Sequence, residues 1–167
     1  MANTTGKKIK DIAIIGGCAS LIYLTIGDIS YRLSLSRGGL NSKLITDMVA
    51  KSASKNPKNE YKEKLDSMID DGADWFMHQD TEKIIIEKKH RQSLYADLIR
   101  PDKPSNVYII CIHGYTSSPA NMGIYAKKYH ELGYNVLLPS LRGHGDSEQD
   151  FITMGWNDRL DVIEWIN

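Results

Sequence analysis

The sequence has few cysteines and no excess of charge of either sign, and both facts exclude classes of protein. Its 167 residues include only two cysteines, Cys18 and Cys111, which lie far apart within apolar segments. This scarcity argues against a disulfide framework or a cysteine-bound metal, so we expect two buried free thiols. Lysine plus arginine equals aspartate plus glutamate, and the zero net charge gives no electrostatic reason for nucleic-acid binding. We expect a globular protein with no metal, no cofactor and no nucleic-acid partner.

Long hydrophobic runs are also scarce. The longest covers residues 12–27, "IAIIGGCASLIYLTIG", and follows three lysines at positions 7, 8 and 10. A helix over this run would extend ~24 Å, a little short of a ~30 Å hydrocarbon core, and flanking basic side chains could reach the interface. Because lysines precede the run, the N-terminus is predicted to lie in the cytoplasm.

The start of the chain is therefore predicted to have two parts. Residues 1–10 form a basic tail, and residues 11–35 form a single-pass transmembrane anchor that leaves the rest of the chain outside the cytoplasm. Two alternatives stay open. A cleaved signal or lipid anchor would make the protein secreted or lipid-anchored, and a buried helix would make it a cytoplasmic protein.

Residues 36–82 are predicted to form a helical linker region. Loop signals occur at residues 38–39 and 56–57, with a short amphipathic helix between them. A longer helix follows, whose carboxylates have no histidine at metal-ligand spacing and are predicted to be solvated. Its apolar residues recur at helical spacing and predict a core-facing stripe: Tyr61, Leu65, Met68, Ile69, Ala73 and Phe76.

From residue 83 the pattern changes to that of strands. "KIIIEKK" and "SLYADLIRP" predict a strand pair, while "NVYIICIHG" and "YNVLLPS" are apolar runs typical of buried central strands. A helix is predicted to begin at Pro119, and a last helix is predicted over residues 156–166 with Trp156, Leu160 and Ile163 on one face. Buried strands that alternate with helices predict a parallel sheet covered by helices.

Three segments carry a family resemblance: "IHGYTSSP", "GYNVLLPSLRGHGDS" and "MGWNDRLDVIEWIN". Over residues 72–167 the chain resembles the N-terminal half of a membrane-anchored bacterial α/β-hydrolase, with Ser140 where that family usually has Asp. The resemblance implies an α/β fold, a partial α/β-hydrolase domain at residues 83–167 with a mostly parallel sheet and flanking helices. An N-terminal hydrophobic helix would precede this domain.

The same resemblance implies a candidate site after the third strand. The backbone N–H of Tyr115 would be one donor to the oxyanion of acyl transfer, Gly114 would allow close backbone approach, and His113 would orient the loop. The nucleophile motif Gly-x-Ser-x-Gly is missing. Ser147 follows Gly145 at the right distance, but Gln149 stands where the second glycine belongs. We therefore expect the nucleophile, the acid and the base to be absent, and the chain to be truncated before the nucleophile turn.

The leading hypothesis is an N-terminal fragment of a serine hydrolase that cleaves ester or related acyl bonds. Its substrate would be a small-molecule ester, the fragment alone would be inactive, and a complementing C-terminal half would supply the missing groups. A non-catalytic, membrane-tethered binding or regulatory protein is the main alternative. A membrane-tethered pair of interaction helices, and a nucleophilic Asp in the complete enzyme, also stay open.

Overall fold

The computed structural model describes residues 2–37, 47–48, 52, 60–90 and 92–167. Part of the linker region predicted over residues 36–82, including most of its short amphipathic helix, lies outside the described residues. The elements run along the chain as follows: α1 Ala2–Leu35, α2 Glu60–Met77, β1 Thr81–Ile86, β2 Leu94–Ile99, β3 Tyr108–Ile110, a 3-10 turn Pro119–Met122, α3 Gly123–Glu131, β4 Asn135–Ser140 and α4 Asp158–Ile166.

The four strands form one small mixed sheet in the order β1-β2-β4-β3. β1 pairs antiparallel with β2, and β2 pairs antiparallel with β4, so β3 and β4 make the one parallel pair of this sheet. The predicted fold, a mostly parallel α/β-hydrolase sheet behind a hydrophobic helix, is therefore wrong. The connections explain the difference. The short link from β1 to β2 makes a hairpin, whereas only the β3–β4 connection carries the helical crossover that parallel strands need.

The apolar run of β4 lies in the core as expected, whereas β3, also predicted to be a buried central strand, lies at the edge of the sheet with Tyr108 exposed. β4 is buried along its whole length and alternates between two faces. On one face Val136 and Leu138 pack in a cluster with Ala126 of α3 and with the partly buried Trp75 and Phe76 of α2. On the other face Leu137 packs in a cluster that the partly buried Trp165 of α4 joins. The sheet thus lies between α2 with α3 on one side and α4 on the other.

Helices α2 and α3 approach each other very closely at a pair of glycines. A Cβ atom added to Gly123 would lie 2.0 Å from the carbonyl oxygen of Gly72, so neither position has room for a side chain. The predicted apolar stripe of α2 meets the core only near this point. Tyr61, at the other end of the stripe, is 75 % exposed.

Helix α4 buries a face that the apolar pattern did not indicate. Trp156, just before the helix, is exposed, as are Leu160 and Ile163. The buried residues of the helix are instead Asp158 and Asp161. Asp161 can be buried because Arg142 reaches it through two hydrogen bonds of 2.6 and 2.8 Å. The pKa of Arg142 is raised, chiefly by this hydrogen-bonded carboxylate.

Helix α1 does not provide the expected membrane anchor. In the part of the chain that the structure describes, no helix has both the length and the apolar character needed to cross a bilayer. The prediction of an anchor at residues 11–35, and with it the single-pass location, is wrong. The uncharged run is shorter than a ~30 Å hydrocarbon core. It is followed on the same helix by a charged pair, Asp28 and Arg32, joined at 2.9 Å. Cys18, expected to be buried, is exposed on this helix.

Candidate functional site

An open pocket lies beside the ends of the two parallel strands. Because β3 and β4 run in the same direction, their carboxyl ends meet at one edge of the sheet. We call residues 111–118 the β3 loop and residues 141–157 the β4 loop. The two loops and the first turns of α4 enclose a volume of about 460 Å³, lined mostly by apolar surface: Ile112, His113, Gly114, Tyr115, Leu141, His144, Ile152, Met154, Gly155, Asp158, Arg159 and Val162.

His113 ties the two loops together. The side chain is buried, with 2 % of the residue exposed. Its Nε2 accepts a hydrogen bond from the Leu141 backbone N–H at 3.1 Å, and its Nδ1 lies 3.0 Å from the Gly114 carbonyl oxygen. Since Nε2 must offer a lone pair to the N–H, the proton belongs on Nδ1, which donates to Gly114. Burial lowers the pKa of His113 and so favours this neutral form.

The β3 loop contains an unpaired backbone donor in a residue that lines the pocket. Among the described residues, the Tyr115 N–H has no hydrogen-bond partner, while its side-chain hydroxyl donates to the Ser34 carbonyl at 2.6 Å. Thr116 follows with φ of 59°, in the left-handed region, and Ser117 N–H closes the turn on the Gly114 carbonyl at 3.2 Å. The three residues singled out from the sequence, His113, Gly114 and Tyr115, thus lie together on the pocket wall.

The β4 loop is tightly folded on itself. Gly143 has φ of 72°, and a Cβ atom there would come within 2.9 Å of the Ile152 backbone nitrogen. Ser147 is fully buried and its hydroxyl donates to the Ser140 carbonyl at 2.5 Å. Ser140 itself, where the resemblance expects Asp, is also buried. In this loop Ser147 is a structural hydroxyl that does not line the pocket.

A second histidine lies against the first. The rings of His113 and His144 meet edge to face, with centroids 4.9 Å apart. Nδ1 of His144 lies 2.9 Å from the Arg142 carbonyl oxygen, whereas its Nε2 is buried without a partner among the described residues. Neither imidazole contacts Ser147 in these hydrogen bonds, and Asp146 pairs instead with Lys83 at 2.7 Å. The sequence neighbours His144, Asp146 and Ser147 do not form a triad.

Asp158 is a site residue that sequence reasoning missed. It begins α4, is buried, and accepts hydrogen bonds from the Thr153 hydroxyl at 2.7 Å, the Gly155 N–H at 2.8 Å and the Arg142 N–H at 3.3 Å. It therefore fixes both ends of the β4 loop against the pocket. An acidic residue in the first turn of the predicted last helix was the available signal, because carboxylates stabilise helix N-termini. Within the described residues, no cluster of His, Cys, Asp or Glu side chains could hold a metal ion.

Comparison with known proteins gives one partial match. No protein-family profile matches the chain, and no solved structure matches it. A segment of 58 residues is 34 % identical to the thermostable monoacylglycerol lipase of Bacillus sp. (strain H-257). The segment covers 35 % of this chain and 23 % of that lipase, so the match spans about a quarter of the lipase. Over that segment the chain is similar to a lipase.

Proposed function

We propose that this chain carries the oxyanion-binding loop of an enzyme that hydrolyses small-molecule esters or related acyl bonds. The observation that carries the proposal is that Tyr115, a residue of the wall of a mostly apolar pocket, has a backbone N–H without a partner among the described residues. A tetrahedral intermediate of acyl transfer places negative charge on one oxygen, and fixed backbone donors stabilise that charge. An unpaired donor beside an apolar cavity suits an ester with an acyl chain.

The size and the lining of the pocket support this substrate class. Its volume of about 460 Å³ lies within the range of small-molecule sites. Aliphatic side chains from both loops and from α4 supply surface for an acyl chain, including Leu141, Ile152 and Val162. His113 is held in its neutral form by two backbone partners and so acts as a structural tie that leaves the Tyr115 N–H in place.

The nucleophile, the base and the acid of this enzyme are proposed to come from outside residues 1–167. The sequence contains no Gly-x-Ser-x-Gly motif, and the superficially similar Ser147 is buried and engaged. The chain alone is therefore expected to hydrolyse p-nitrophenyl decanoate no faster than a blank. Ser147→Ala should leave this result unchanged. Hydrolysis by the chain that disappears in Ser147→Ala would contradict the assignment.

Ligand binding tests the pocket without any need for turnover. The probe is 1-O-decylglycerol, an ether that resembles a monoester but cannot be hydrolysed, titrated by calorimetry. Val162→Asp places a charge in the apolar wall and should weaken binding at least about tenfold. The matched control is Ile163→Asp, the next residue of α4, which is exposed and outside the pocket. Equal affinities for the two variants, or no binding by the unaltered chain, would refute the proposed site.

A second candidate function is a non-catalytic binding protein that uses the same pocket. It is favoured by the burial of Ser147 and by the pairing of Asp146 with Lys83, which leave no catalytic triad among the described residues. Co-expression with the C-terminal half of a serine hydrolase separates the two candidates. Restored ester hydrolysis that falls by roughly 10²–10³ in kcat on Tyr115→Pro favours the enzyme, because proline removes the backbone donor. Ligand binding without restored hydrolysis favours the binding protein.

A further inference from the structure

We propose that the C-terminal end of α1 together with the two residues after it, Ser34–Arg37, is a positioning element that holds both pocket loops in place. The role of this cavity as a ligand site rests on the proposed function, whereas the contacts of the helix end do not depend on it. The last carbonyl groups of a helix have no partner within the helix. At the end of α1 the Ser34 carbonyl accepts the Tyr115 hydroxyl at 2.6 Å, and the Leu35 carbonyl accepts the Ile152 N–H at 2.8 Å. Tyr115 and Ile152 belong to different loops, and both line the pocket.

Arg37 extends this attachment along the β4 loop. Its guanidinium donates to the carbonyl of Ser147 at 2.5 Å and also to the carbonyl of Gly145. Its backbone N–H donates to the Asp150 carbonyl at 2.9 Å. A planar guanidinium presents its donors in a fixed fork, so two carbonyl partners constrain the turn between them. The side chain of Arg37 therefore holds the turn that buries Ser147.

An aromatic contact completes the attachment. The rings of Tyr31, one turn before the helix end, and Phe151 have centroids 5.5 Å apart. Ser36 also forms an isolated antiparallel bridge with Phe151. No residue of the described part of α1 lines the pocket itself. The helix end thus acts on the site only through the loops, and its residues are positioning residues.

This arrangement couples α1 to the pocket in both directions. If docking of the helix end favours the loop conformation that presents the Tyr115 N–H, then a ligand that favours this conformation must tighten the docking by the same factor. The side chain of Tyr115 is the most direct link, because the residue that offers the candidate oxyanion donor is itself tied to Ser34. Its hydroxyl can be removed without touching the backbone donor.

Amide hydrogen exchange of the full 167-residue chain, without ligand, tests the proposal. Tyr115→Phe removes one hydrogen bond and should speed exchange in the two loops about fivefold, whereas Arg37→Gln removes charge-assisted bonds and should speed it about tenfold or more. The controls are Tyr125→Phe, an exposed tyrosine of α3, and Arg32→Gln, which breaks only an exposed ion pair on α1. Neither control should change loop exchange by more than about twofold.

The outcomes separate this inference from the proposed function. Faster exchange confined to the loops and the end of α1 supports the positioning role, even if no ligand binds. Exchange that matches the controls, or that rises equally in β2 and β4, overturns it, even if the ligand binds. A second readout is affinity for 1-O-decylglycerol, which should fall in Tyr115→Phe while the midpoint of thermal unfolding stays within the range of Tyr125→Phe. A fall in affinity and midpoint together would indicate a purely structural role and would also overturn the inference.

Discussion

The β3 loop is held by two side chains, the buried imidazole of His113 and the hydroxyl of Tyr115 on Ser34, whereas the β4 loop is held by more groups. His113 joins the β3 loop to the start of the β4 loop through the Leu141 N–H. The β4 loop is anchored by the Ser147 hydroxyl, by three hydrogen bonds to Asp158 and by Arg37. The difference indicates a division of roles, in which a rigid β4 loop frames the pocket and a lightly held β3 loop offers the donor to it.

The largest effect is expected from the buried anchor of the β3 loop. His113→Ala removes a fully buried ring and leaves the Leu141 N–H without its partner, so it should lower the free energy of unfolding by about 3–4 kcal/mol. Denaturant unfolding measures this change. His78→Ala is the control, since that ring is exposed and should change the stability by less than about 0.5 kcal/mol. If His113→Ala lowered the free energy of unfolding as little as the control does, His113 would not be the group that ties the loops together.

A smaller effect is expected from one of the several anchors of the β4 loop. Asp158→Ala deletes three accepted hydrogen bonds, but the other anchors remain, so we expect a loss of about 2 kcal/mol. The matched control is Asp74→Ala on α2, whose carboxylate is exposed beside His78. If Asp158→Ala destabilised the protein more than His113→Ala, the contrast between the two loops would be reversed.

The sequence pointed to the β3 loop but did not indicate what holds the β4 loop. The His-Gly-Tyr motif marked the β3 loop because neighbouring residues carry it. The apolar runs indicated β3 and β4, and Pro119 indicated the start of the helical segment that contains α3. The β4 loop depends on partners that are distant in sequence, such as Arg37 with Ser147, and no local pattern predicts them. The sheet was predicted as mostly parallel because buried strands alternate with helices along the chain, but the burial of β2 and β4 does not reveal that they run in opposite directions. The face of α4 was missed because Asp161 is buried through its pairing with Arg142 and Lys88, which are distant in sequence.

The smallest expected effect is that of lowering the pH, which acts on stability through His113. Burial lowers the pKa of His113 in the folded state below its ordinary value near 6.5. His113 therefore binds a proton more readily in the unfolded chain than in the folded one. The contribution of neutral His113 to the free energy of unfolding is complete above the unfolded pKa and is lost as the pH falls below it. The stability advantage of the unaltered chain over His113→Gln, which cannot titrate, should shrink between pH 7 and pH 5. A constant advantage across that range would show that His113 does not titrate differently in the two states.

The most direct test of the central claim is an NMR titration of the full chain with decanoate, whose carboxylate stands in for the oxyanion and whose chain fills the apolar pocket. A hydrogen bond to an anionic oxygen moves an amide proton downfield. The account predicts a saturable downfield shift of the Tyr115 amide proton, together with shifts at Val162 in the pocket wall and none at the exposed Ile163. Saturation at Val162 with an unmoved Tyr115 amide would contradict the claim that this N–H is an oxyanion donor.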